Sequence, residues 1–295
     1  MVKKNHAGQI ILNIVFILLV IFAAAPFLLL ISSSLSSEAA LTQYGYTFFP
    51  KEFSLAAYQY MFQSGTKIIR AYGITVFVTF VGTTVSVLTT VMFAYPLSRK
   101  ELPLRMVFSF FIFFTMLFNG GLVPTYMMWT QTFHIKNTIY ALLIPSLLLS
   151  PFNIIMMRSY FTANVPNEII EAARIDGARE FTVLFRVVLP LSKPMLATIA
   201  LMIALRYWND WTNSLYYINK ESLFSIQAIL NSMLTNIQFL ASDSHMNMDA
   251  STLASLPSVS IRMGIAVVGV LPILLVYPFF QKYFVKGIVV GGIKG

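Results

Sequence analysis

Six long apolar runs, near residues 9–31, 74–96, 106–128, 138–157, 195–217 and 262–281, decide what this chain can fold into. Each is close to the ~20 residues that an α-helix needs to cross about 30 Å of hydrocarbon. In that medium every backbone N–H and C=O must find a partner within the chain, so only helices and closed barrels span it. A barrel is built from ~10-residue segments of alternating polarity, whereas these runs are continuous. Composition agrees: apolar residues make up 57% of the chain and charged residues 11%, against roughly 45–50% and about 25% in soluble domains. The expectation is an all-α integral membrane protein, with six transmembrane helices in a single domain over 9–295 and a short N-terminal segment over 1–8. The run after Lys3 and Lys4 is too long for the ~7–15-residue core of a signal peptide, so it reads as a retained first span.

Basic residues orient the spans. With the N-terminus in the cytoplasm, thirteen fall inside: Lys3, Lys4, Arg99, Lys100, Arg105, Arg158, Arg174, Arg179, Arg186, Lys193, Lys282, Lys286 and Lys294. Six fall outside: Lys51, Lys67, Arg70, Lys136, Lys220 and Arg262. Arg206 lies within a span. The bias favours both termini inside. It also accounts for the net charge of +9 without nucleic acid. The absence of cysteine excludes disulfides, thiol chemistry, Cys-zinc sites and a lipoprotein anchor. Two external loops are long, 32–73 with an aromatic stretch around Tyr44, Tyr46, Phe48 and Phe49, and 218–261 with Asn231, Asn236, Gln238, Asp243, His245, Asn247 and Asp249. His6, His134 and His245 stand alone, and no spacing supports a metal site.

The segment Glu171–Pro190 reads EAARIDGAREFTVLFRVVLP, a charged helix-forming stretch within a cytoplasmic loop, 158–194. Asn167, after Pro166, is placed to cap a helix. Glu168, Glu171 and Arg174 form a polar strip on it, and Asp176-Gly177 ends it, because glycine accepts the left-handed turn. Phe181, Leu184, Phe185 and Val188 then make one apolar face of a second helix, which Pro190 stops. By residue pattern alone this bent hairpin suits either a partner protein or a bed of lipid headgroups.

The complete spacing is more specific. Glu-Ala-Ala, three residues, Gly, nine residues, Val, one residue and Leu-Pro resembles the coupling loop of ABC-importer permeases, with Val187 where that family usually has Ile. Ala94-Tyr95-Pro96, Leu97-Ser98-Arg99, Asn119 to Tyr126, Trp208-Asn209-Asp210 and the end Tyr283 to Gly287 and Gly291 to Gly295 extend the likeness over nearly the whole chain. Together they look like the second permease subunit of maltose-type carbohydrate importers, in the branch serving complex oligosaccharides. The resemblance implies the type I importer permease fold in a bacterial cell membrane. It implies a homologous sister permease, two copies of a cytoplasmic ATPase and an extracytoplasmic sugar-binding protein. Glu171, Ala172, Ala173, Gly177, Leu189 and Pro190 become the expected ATPase-coupling residues. The tail residues Gly291, Gly292 and Lys294 become an expected ATPase contact. No Gly-x-x-x-x-Gly-Lys-Ser/Thr loop is present. The chain is therefore expected to be no enzyme and to bind no cofactor, ATP and Mg being used by the partner ATPase.

Candidates for the substrate path are Asn119 in the third run and Arg206, Tyr207, Trp208, Asn209, Asp210 and Trp211 in the fifth. Flat rings suit pyranose faces and amides suit hydroxyls. Arg206 and Asp210 are four apart and can pair on one helix face. The alternatives are an interfacial aromatic belt for Trp208 and Trp211, and a snorkelling or sister-paired Arg206. Rival functions are an ABC permease for a peptide, amino acid or phosphonate, a stand-alone secondary transporter and a membrane enzyme. The last two would need intramembrane carboxylates or an acid, His or metal constellation, and beyond Asp210 the spans offer almost none.

Overall fold

The computed structural model describes residues 6–62, 65–242 and 258–291. They fall into two compact units, one of residues 1–66 with 230–272 and one of 67–229 with 273–295. Among the described residues the fold is helical, and the antiparallel bridge Ser36–Phe53 is its one strand-like pairing.

The first unit opens with α1, His6–Ser34. Its side chains from Ile10 to Phe22 are exposed on every side, as suits a helix solvated by hydrocarbon. The serines at its end are covered. Ser32 Oγ donates to the Thr47 carbonyl at 2.7 Å, and Ser36 Oγ bonds back to the Ser32 carbonyl at 2.8 Å. Ser37 then caps α2, Glu38–Tyr44, by accepting from the Ala40 N–H at 3.1 Å. Helix α3 follows at Ala56–Phe62. Its buried Ala57 and Met61 lie against Gly264, where an added Cβ would come within 2.9 Å of the Met61 methyl. The stretch 32–73, expected as a loop, therefore contains two short helices and the start of a third.

The second unit is built around α4, Gly65–Ser98. Ile68, Ala71, Thr75, Val78, Gly82, Ser86, Thr90, Ala94 and Leu97 are buried on it at steps of three and four, which is one helical face. Most are small, and small residues let neighbouring helices approach in a membrane. At Gly82 an added Cβ would land on the Tyr207 ring.

The third run is not one rod. Helix α5, Arg105–Leu117, breaks at Phe118 to Gly121 and resumes at Leu122 after a bend of 112°. Gly121 has φ +85° there, a conformation that glycine enters at no steric cost. Helix α6, Leu122–Met127, widens into a π-turn at Met128–Thr132. The fourth run is broken too, into α7, Tyr140–Leu143, and α8, Pro151–Asn164, with Ser146 at φ +60° between them.

The coupling segment gives α9, Asn167–Ile175, and α10, Glu180–Val183, then a π-turn at Leu184–Val188 and α11, Leu189–Leu191. Pro190 lacks an N–H and crowds the carbonyl four residues back, which accounts for the widened turn in front of it. The chain bends by 88° into α12, Lys193–Trp208. It breaks again at Asn209 to Trp211 before α13, Thr212–Tyr217. Helices α14, Ile226–Ser242, and α15, Ser258–Gly291, complete the order. The stretch 218–261, expected as an external loop, thus holds a 17-residue helix. Among the described residues three single helices are long and apolar enough to cross a membrane, with the two bent pairs as further candidates.

Candidate functional site

The hairpin α9–α10 takes its shape from a glycine. The Asp176 N–H bonds to the Ala172 carbonyl, and the Ala178 N–H to the Ala173 carbonyl at 2.9 Å. That closure needs the left-handed conformation that Gly177 adopts, at φ +81°. Ile170 is buried in the core of the unit, whereas Ile175 is 86% exposed and Ile169 and Ala172 are also exposed. Spaced by three, those residues form one outward apolar strip beside Glu168 and Glu171. Of the expected coupling residues, Glu171, Ala172, Gly177 and Pro190 are exposed, and Ala173 and Leu189 are half-buried. Ile169 and Ile175 went unselected, although apolar residues interleaved with a charged strip were a usable signal.

The pair is tied to the end of α4. Tyr95 donates its hydroxyl to Glu180 Oε2 at 2.7 Å, and Arg174 Nε donates to Glu180 Oε1 at 2.8 Å. Arg99, only 7% exposed, lies over the Tyr95 ring at 5.0 Å and donates from Nη1 to Asn167 Oδ1 at 3.3 Å. Burial pulls the Arg99 guanidinium down from its ordinary pKa. Asn167 therefore does not cap α9 as expected. Pro166 holds that position, and the Asn167 oxygen is claimed by a guanidinium from a distant part of the chain. A cavity of about 390 Å³ lies between these elements, lined by Tyr95, Arg99, Leu102, Arg174, Glu180 and Phe181 among others. The polar bridges span it, so they carry contact where packing is open. On the second helix Leu184 and Val188 are buried while Phe181 and Phe185 stay exposed. The π-turn rotates the expected four-residue face out of register.

The fifth run presents a second site, where α12 meets the break in the fourth run. Leu147 turns its N–H to the Ile144 carbonyl, away from the carbonyl of Leu143. The Tyr207 hydroxyl takes that carbonyl at 2.8 Å, Asn213 Nδ2 takes the Pro145 carbonyl at 3.0 Å, and Arg206 Nη2 takes that of Ser146. Irregular backbone at membrane depth must be satisfied in this way. Arg206 and Asp210 do not pair, because α12 ends at Trp208 and the helical i to i+4 geometry is lost. Asp210 Oδ1 accepts instead from the Thr212 hydroxyl at 2.7 Å and the Asn213 N–H at 3.3 Å. Trp208 is buried, with its ring 6.2 Å from that of Tyr72. Asn209 donates back to the Leu205 carbonyl at 2.8 Å, and Trp211 is partly exposed. Asn119 sits apart, accepting from the Gly121 N–H at 3.0 Å within its own break. Gly291 closes α15. Gly292, Lys294, Asp243, His245, Asn247 and Asp249 lie outside the described residues.

Comparison with known proteins places this geometry. Residues 102–290 match the family model described as binding-protein-dependent transport system inner membrane component. The chain is 38% identical to Protein LplC of Bacillus subtilis over 92% of this chain and 89% of that protein. It is 34% identical to the polygalacturonan/rhamnogalacturonan transport system permease protein YtcP of the same organism, over 99% of this chain and 100% of that one. Among solved structures, a chain of a bacterial ABC transporter involved in import of the acidic polysaccharide alginate superposes with a TM-score of 0.76. It is 29% identical, and the match covers 96% of this chain and 99% of that one.

Proposed function

This chain belongs to the family of inner membrane components of binding-protein-dependent transport systems, and from that premise we propose that it conducts carbohydrates as one permease of an ATP-driven importer. It is a multi-pass protein of the bacterial membrane. The sugar reading draws on the polygalacturonan/rhamnogalacturonan permease and on the alginate importer. The assembly is a heterodimeric pore with a sister permease, two cytoplasmic ATPase subunits and an extracytoplasmic binding protein. ATP and Mg are used by the ATPase.

In this reading α9 seats in the ATPase through Ile169, Ala172 and Ile175, with Glu171 at the rim. ATP binding draws the ATPase pair together, and the seated helix carries the motion to the spans, which alternate between outward and inward access. Coupling of this kind is a free energy shared between two sites, so the hairpin has to stay rigid. The observation that carries the proposal is the outward apolar strip held on a turn that only Gly177 accommodates.

The test is Gly177→Pro. Proline fixes φ near about −65°, incompatible with +81° at this residue. The expected outcome is normal membrane insertion with ATP-linked uptake abolished. Cross-linking from Ile175→Cys to the ATPase, in a chain otherwise free of cysteine, reports seating directly. Full transport by Gly177→Pro, or no cross-link to any ATPase, refutes the assignment.

A further inference from the structure

Among the described residues Arg206 is a charge without a counter-charge. It lies about thirteen residues into α12, about 20 Å from its start at 1.5 Å per residue. At that depth a cation is costly and must face protein, water or an anion. Its side chain is exposed, and one of its five N–H donors is given to the Ser146 carbonyl. Asp210, the acid nearest in sequence, is turned to Thr212 and Asn213. Among the described residues the ion pairs are Lys67–Glu221 and Arg174–Glu180, and Arg206 is in neither.

The surrounding charge has the same sign. The stretches that meet around α13, residues 67–70, 136–146 and 206–221, carry Lys67, Arg70, Lys136, Arg206 and Lys220 against Asp210 and Glu221. Glu221 is taken by Lys67 at 2.6 Å. The side-chain oxygen of Asn137, Oδ1, accepts from the Asn219 and Lys220 N–H groups, which holds Lys136 and Lys220 in the same region. An excess of one sign of charge concentrates ligands of the other.

We infer that Arg206 receives a carboxylate of the cargo, so that the sugar passed here is a uronate-bearing oligosaccharide. The planar guanidinium fork matches a carboxylate with two parallel hydrogen bonds. Asn209 and Trp211, both exposed, follow it by three and five residues; Asn209 Oδ1, its Nδ2 being given to the Leu205 carbonyl, suits a hydroxyl and the Trp211 ring the face of the same sugar. The inference rests on the carbohydrate reading above and adds to it the charge of the sugar and the residue that reads it.

The experiment uses the reconstituted importer with its sister permease, ATPase and binding protein. Uptake is measured for an oligogalacturonate and for its methyl ester of equal length, in the parent, Arg206→Gln and Arg206→Lys. Glutamine keeps a donor for the Ser146 carbonyl. A charge-assisted pair of this kind corresponds to a change of about ten-fold or more. Expected is that loss for the acidic sugar in Arg206→Gln, with partial retention in Arg206→Lys and ester uptake within about two-fold of the parent. If the parent takes the acid alone, the contrast between Gln and Lys decides. Equal loss for both sugars, no loss in Arg206→Gln, or failure of both variants to assemble marks Arg206 as structural and overturns the inference. Parent uptake confined to neutral sugars overturns it while the carbohydrate reading stands. Uptake of no sugar overturns both.

Discussion

Replacing Tyr207 by Phe removes one oxygen and leaves the ring in place over Gly82. Tyr207 is 2% exposed, and its hydroxyl satisfies the Leu143 carbonyl at 2.8 Å. That carbonyl sits at the last residue of α7, where the chain leaves the helix and the N–H of Leu147 goes elsewhere. The substitution therefore strands a part-buried acceptor without opening a cavity. A stranded acceptor of this kind costs about 1–3 kcal/mol. For a domain of this size each kcal/mol corresponds to roughly 2–4 °C, so the central expectation is a fall in melting temperature of about 4–8 °C. The assay is thermal unfolding of the purified complex in lipid nanodiscs, with uptake measured on the same preparation below the transition. The apparent KM for sugar should stay within about two-fold of the parent, because the hydroxyl is spent on backbone. A melting temperature within about 1 °C of the parent would refute the backbone-capping role. So would lost uptake at unchanged stability, which would give the hydroxyl to the cargo.

Further substitutions test two other joints. Tyr95→Phe and Glu180→Gln weaken the bridge from α4 to the coupling pair; stimulated ATP hydrolysis should persist while sugar moved per ATP falls several-fold, as measured by parallel phosphate-release and uptake assays, and a preserved ratio would sink the idea. Glu38 accepts from the Val259 and Ser260 N–H groups, each at 3.0 Å, and from the Ser260 hydroxyl. A carboxylate at a helix N-terminus is worth about 1–2 kcal/mol, so Glu38→Ala should lower the melting temperature more than Glu38→Gln does.

The shape of the α9–α10 hairpin was legible because its determinants are local. Gly177 is needed wherever a helix must close through a left-handed residue, and a Gly after a run of helix formers announces that. The apolar runs at 9–31, 74–96 and 262–281 likewise became single helices, since length and hydropathy suffice when nothing interrupts a span. The failures came from contacts between distant parts of the chain. Asn167 looked like a cap until Arg99 claimed its oxygen. Arg206 and Asp210 looked like partners until the helix ended two residues short. Hydropathy averages passed over the breaks at Asn119-Gly120-Gly121 and Pro145-Ser146, although Gly-Gly and Pro are breaker signals even inside an apolar run. Tyr95 and Glu180, 85 positions apart, carried no pairwise sign of their contact.

In the proposed coupling, the 88° bend at Ser192 makes the segment Glu180–Leu191 and helix α12 a crank. One arm, Glu180–Leu191, is about 18 Å long, and the other, from Lys193 to Arg206, is about 20 Å at the same rise per residue. Arms of nearly equal length neither magnify nor diminish a stroke; they turn its direction through a right angle. A shift of a few ångströms beneath the membrane would therefore arrive at Arg206 as a sideways swing of similar size, enough to bring a guanidinium to a passing carboxylate or take it away.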